Sequence, residues 1–210
     1  MVRPLIEENI SSFIRFNGAI GIIRKIVANG FFSFENIISP RKPFGDIEIQ
    51  KNSKNGNVKV YAYPKDFYID INYIMVNKQN INALKVFISK AYGERGNFPY
   101  NVLAKPFVGE RNTCCTETYL LIGPFKKEEE VNNCISFIKT RFFRFIVLQK
   151  KNTQNAAKGV YSFVPLQDFT SKSDIDWSRS IGEIDAQLYE KYGLERDEID
   201  FIERMIKPME

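Results

Sequence analysis

KEEEVNNCISFIKTRFFRFIVL, residues 127–148, decides how the chain is read. Val131, Cys134, Ile135, Ile138, Phe142, Phe145 and Ile146 recur at spacings of three and four, which lays one apolar stripe along a helix. Glu128, Glu129 and Glu130 occupy the first turn, and Arg141 and Arg144 lie near the end, a polarity that suits the helix macrodipole. The spacing predicts one long amphipathic helix over 127–148. Ile138 falls mid-stripe and is expected in the core. Arg144 falls off the stripe's centre and is expected on the outer face.

Strand patterns flank this helix. Residues 116–122 alternate apolar and polar, which predicts a central strand with Glu117 on the face of Tyr119 and Leu121. Residues 84–90 and the short run 160–164, ended by Pro165, read as two more strands. Residues 46–51 and 58–63 alternate as well, and Asn55-Gly56 between them is a strong hairpin signal. Residues 91–113 hold three glycines and two prolines, a long irregular segment of the kind that usually carries function.

Helical patterns lie at both ends. Residues 5–29 carry helical spacing broken at Asn17-Gly18 and stopped at Asn29-Gly30. Residues 184–192 end at Gly193, and residues 196–206 end before Pro208. The expected fold is α+β: a mixed or antiparallel sheet, a long amphipathic helix, and helical segments at 1–30 and 183–207. At 210 residues it is read as one domain.

Composition narrows the chemistry. The chain has no His, so His-based triads and His general bases are excluded. Cys114, Cys115 and Cys134 form no CxxC, which leaves no common zinc-ligand set. An odd count with one adjacent pair is no disulfide framework either, and implies reduced thiols in the cytoplasm. No apolar run approaches the ~18 residues that a membrane span needs.

The charge balance is +5 overall, but the excess is local. Residues 131–167 contain no Asp or Glu and hold Lys139, Arg141, Arg144, Lys150, Lys151 and Lys158, interleaved with aromatic residues. Gln149, Asn152, Thr153, Gln154 and Asn155 surround two of the lysines. Lys and Arg suit phosphates, and Asn or Gln can pair with an adenine edge. The strip therefore suits duplex DNA. Arg41 and Lys42, held between prolines, and Lys90 are further DNA-contact candidates. Gln149, Asn152, Gln154 and Arg41 are the candidates for base edges.

Two motifs point elsewhere. Asn97-Phe98-Pro99-Tyr100 resembles the Asn-Pro-Pro-Tyr motif of adenine-N6 DNA methyltransferases, but Phe98 replaces the first proline and no Gly-rich cofactor loop accompanies it. Asp46 and Glu48 lie on one face of an expected strand, as Mg²⁺-binding nuclease carboxylates do, but Gln50 stands where a restriction nuclease places lysine.

Six strings occur together: SPRKPFG at 39–45, TETYLLIGPF at 116–125, KTRFFRF at 139–145, YSFVPLQDF at 161–169, LYEKYGL at 188–194 and FIERMI at 201–206. In this order they resemble the C-terminal target-recognition region of bacterial type II restriction-modification proteins, the adenine-specific DNA methyltransferases and fused restriction-methylase enzymes. The resemblance covers about residues 35–210. It implies a sequence-specific DNA-binding module without the catalytic half, either an excised fragment or a truncated protein. S-adenosylmethionine would then belong to a catalytic methyltransferase or nuclease domain of the parent, and this chain would hold no cofactor, catalytic residue or metal of its own. Two alternatives stand beside it: a Mg²⁺-dependent endonuclease using Asp46 and Glu48, and a non-enzymatic assembly domain docking an acidic partner protein.

Overall fold

The computed structural model describes residue 10 and residues 13–28, 30–47, 56–93 and 98–209. In chain order the elements are α1 (Ile20–Ala28), β1 (Val58–Tyr61), β2 (Phe67–Ile69), β3 (Leu84–Ser89), β4 (Phe107–Gly109), β5 (Thr113–Cys115), β6 (Tyr119–Phe125), α2 (Glu128–Lys139), α3 (Arg141–Lys150), α4 (Ile181–Lys191) and α5 (Arg196–Met205), with short 3-10 turns between them. The fold is α+β, with two small, mostly antiparallel sheets.

The single helix expected over 127–148 is two helices. Thr140 sits between them in extended conformation, φ −61° and ψ 151°. Its hydroxyl donates to the Phe137 carbonyl at the end of α2 and accepts from the Phe143 N–H at the start of α3. The buried Asp185 carboxylate accepts from the next two free donors, the N–H groups of Arg141 and Phe142, both at 2.9 Å. An apolar stripe is blind to such a cap, because spacings of three and four continue across it. The break lets α3 turn into the centre, where every residue from Phe142 to Gln149 is buried.

β3 is the central strand of the larger sheet, in the order β4-β3-β6. Its alternation feeds two cores. Val86 and Ile88, with Leu120 and Ile122 of β6, pack into the helical core. Phe87 and Leu121 point the other way, into a second core with Val58, Val60 and Ile69 of the smaller sheet. Both faces are covered, which is why β3 reads as a nearly continuous apolar run. In the smaller sheet β1 pairs antiparallel with β2 and parallel with β5.

Several expectations shift. β6 starts at Tyr119, not Thr116, and lies at the sheet's edge, where Ile38 bridges Ile122. Glu117 belongs to the preceding turn. Residues 160–164 form no strand: a 3-10 turn runs from Lys158 to Tyr161, and Pro165 makes one bridge to Ser33. The expected hairpin partner of β1, residues 46–51, lies mostly outside the described residues, as do most of residues 5–12 and Asn29. At the N-terminal end only α1 is helical among the described residues, with a 3-10 turn at Asn17–Ala19 before it. At the C-terminal end, Ser180 and Glu183 form a capping box on α4, and Gly193 ends it at φ +61°.

Lys85 is fully buried in β3, a position that no sequence pattern marks. Its ammonium donates to the carbonyls of Ile81, Ala83 and Glu110 at 2.9, 3.1 and 3.0 Å. Burial lowers its pKa to about 8. Gly109 of β4 makes room for it, since a Cβ there would stand 2.5 Å from Lys85 Cγ.

Candidate nucleic-acid interface

The acid-free stretch folds around α3, and the fold divides its polar residues into two groups. Arg144 is corrected first: it is 0% exposed, not on an outer face. Its Nε and Nη2 donate to the Lys139 carbonyl at 3.2 and 2.9 Å, Nε also to Thr140 O at 3.1 Å, and Nη1 to Asn101 O at 3.2 Å. A cation on the last carbonyls of α2 satisfies groups the helix leaves open. Arg144 holds a loop to a helix end, buried from solvent. Gln149 is corrected on the same ground: it is buried, and its amide donates to the Phe145 carbonyl one turn back.

Other cations are committed to neighbours. Arg141 donates to Ile206 O and faces Glu203 at 3.6 Å. Lys150 donates to the Ser162 hydroxyl and lies over the Phe163 ring, and burial lowers its pKa. Arg41 pairs with Glu117, which Lys90 also approaches at 4.0 Å, and Lys42 pairs with Asp46. Lys139 and Lys158 are half-exposed. A stretch without acids in sequence thus meets acids in space: Glu203 and Asp185 both come from outside it.

The second group forms a site. Asn152, Thr153, Gln154 and Asn155 leave the end of α3 as an exposed loop. The loop is tied to residues 90–93 by main-chain bonds, Tyr92 N to Gln154 O at 2.9 Å and Ala156 N to Lys90 O at 2.8 Å, with a bridge between Ala91 and Asn155. Lys151 Nζ donates to Tyr92 O at 2.8 Å, and Arg15 Nη1 donates to Lys151 O at 3.1 Å. These ties enclose a cleft of about 710 Å³. Asn152, Thr153 and Gln154 line it together with Tyr92 and Gly93, and Val102 and Leu148 are its apolar residues. Arg15 and Tyr100 complete the lining.

Tyr100 is held by the C-terminal segment: its N–H donates to Met205 O, and its carbonyl accepts from Lys207 N. Beside it, Phe98 stands 44% exposed, with ring centroids 4.5 Å from Tyr100 and 5.5 Å from Phe16. Arg15 lies over the Phe16 ring at 5.2 Å. The result is a polar recess with cations and an aromatic ledge.

Of the residues singled out by sequence, the fold brings Lys151, Asn152 and Gln154 together in this cleft. It leaves Arg41, Lys42, Lys90, Lys139, Arg141, Lys150 and Lys158 outside the lining. Arg15 and Tyr100 escaped the sequence reading of the site. The irregular 91–113 segment supplied the only hint, since Tyr92, Phe98 and Tyr100 lie within it. The methyltransferase-like string resolves into this ledge, with Asn97 outside the described residues.

Asp46 faces Lys42, and Glu48 lies outside the described residues. Among the described residues no group of three His, Cys, Asp or Glu is placed to hold a metal. All three cysteines are buried and free, and burial pushes Cys114 up to about 12 and raises the other two. Among the described residues no helix is long and apolar enough to cross a membrane. No protein-family model, curated protein or solved structure matches the chain.

Proposed function

We propose that the chain is a sequence-specific DNA-binding module of a restriction-modification system, acting beside a methyltransferase or nuclease domain that carries out the chemistry and binds S-adenosylmethionine. One observation carries this reading. The amide-rich loop 152–155 is pinned in place, in part by the buried Lys151, at a cleft that is also lined by Arg15 and aromatic rings. Asn and Gln side chains are the groups that read base edges, and a loop whose main chain is already fixed loses little freedom on binding. Half-exposed Lys139 and Lys158 are candidates for phosphate contacts further along the surface.

Binding to duplex DNA over a salt series tests the reading. With roughly three or four phosphates neutralised, log K falls against log salt with a slope of about −3 to −4. A flat response, or no binding at low salt, refutes it.

A further inference from the structure

We propose that the face formed by α4 and α5 docks a lysine-bearing segment of a partner protein. This goes beyond the DNA-binding reading and does not rest on it: the face shares no lining residue with the cleft around Asn152. Residues 168–210 hold twelve Asp and Glu against six Lys and Arg, in a chain that is +5 as a whole. An acidic region of this kind repels phosphates and suits a cationic partner.

The site is a cavity of about 440 Å³ lined by residues of both helices. Ala186, Leu194 and Ile199 are its apolar residues, and Glu190 and Glu203 its acids. Gly182 keeps the lining open, since a Cβ there would meet nothing within 4 Å. Tyr189 lines the same cavity at 4% exposure, and its buried hydroxyl has no hydrogen-bond partner among the described residues. Buried polar groups are nearly always paired, so an open one at a cavity marks the place of a missing ligand group. Burial, then the charges of Asp185 and Glu203, raise the Tyr189 pKa, which keeps a neutral hydroxyl whose oxygen can accept. A lysine side chain matches this set. Its methylene stem suits the apolar residues, and its ammonium suits the Tyr189 oxygen and the carboxylates.

A second cavity, of about 760 Å³, shares Glu203 and is otherwise lined by Arg141, Asp197, Asp200 and Arg204. Glu203 faces Arg141 at 3.6 Å, and Arg196, in the lining of the first cavity, pairs with Asp200 at 3.0 Å. These arginines decide between cationic partners. A free polyamine brings only donors and leaves the guanidiniums opposed. A peptide segment brings lysine donors for the acids and main-chain carbonyls for the arginines.

The test titrates a synthetic peptide of alternating lysine and leucine into the intact chain and follows backbone amide chemical shifts. Shifts are expected at residues 182–203, and the same peptide with its lysine side chains acetylated should produce none. Tyr189→Phe should weaken peptide binding about tenfold without lowering the melting temperature, because the hydroxyl it removes has no internal partner. Ala186→Phe fills the cavity from an exposed position and should abolish the shifts while the chain still melts cooperatively. No shifts at residues 182–203, equal binding of the acetylated peptide, or binding unchanged in Tyr189→Phe overturns the site. A lowered melting temperature for Tyr189→Phe overturns the open hydroxyl on which it stands. Spermidine binding as tightly as the peptide overturns a protein segment as the occupant.

Discussion

Helix α3 and the loop that follows it belong to one acid-free stretch, yet they do opposite things with their polar groups. Arg144 and Gln149 in α3 turn inward, and their donors are used on main-chain carbonyls. Asn152 and Gln154, a few residues later, stand exposed at a cleft. The difference is one of backbone supply. A helix end and a neighbouring loop leave carbonyls open, and a long cation within reach is drawn in to meet them. Where the chain leaves the helix and is tied instead to residues 90–93, the side chains stay available. Cations and amides stand on both sides of that divide, so residue type alone cannot locate the site.

The strongest break of this comparison is Arg144→Ala. It removes the guanidinium's hydrogen bonds to the Lys139, Thr140 and Asn101 carbonyls together with a fully buried side chain, and should cost about 3–5 kcal/mol of stability. DNA affinity per folded molecule should not change. Chemical denaturation and a binding curve on the same preparation check both halves. Ile138→Ala removes a fully buried side chain from the same core and should cost about 2–4 kcal/mol, again without a binding effect.

Asp185 offers a pH test of the α3 cap. Desolvation raises its pKa from 3.8 to about 6, against the pull of the Phe142 and Arg141 N–H groups. The folded state therefore holds the proton more tightly than the unfolded state, and Asp185's contribution to stability falls as pH rises from about 4 to about 6. Relative to Asp185→Asn, the intact chain should lose up to about 3 kcal/mol across that window. Denaturation midpoints of both proteins from pH 4 to 7 give the difference. A constant difference across the window would show that the carboxyl is not desolvated at the cap.

Much of the frame was legible. The stop of α4 at Gly193, the apolar run of β3 and the burial of Ile138 all follow from local pattern, whereas α4 starts at Ile181, three residues before the expected start. The split at Thr140 was not, because the partner that caps α3, Asp185, is 45 positions from Thr140 and no spacing rule links them. Nor was the parallel pairing of β1 with β5, which joins segments more than 50 residues apart. Within the site, the amides of 152–155 were legible by type, while Arg15 and Tyr100 reach the cleft only through tertiary contacts with Lys151 and the C-terminal segment.

Smaller effects sharpen the comparison from the other side. Asn152→Ala should leave stability within about 0.5 kcal/mol and weaken discrimination between matched and scrambled duplexes by about 1–3 kcal/mol. Lys158→Ala should lower affinity uniformly and reduce the salt slope by about 1. Both are read from competition titrations.

Backbone hydrogen exchange with and without duplex DNA tests the central claim most directly, because it locates the contact surface without altering a residue. The account predicts new protection at residues 90–93 and 151–156, with the interior of α3 unchanged because it is already buried. Protection confined to other surfaces, such as the Arg41-Lys42 loop, with none around the cleft would contradict it.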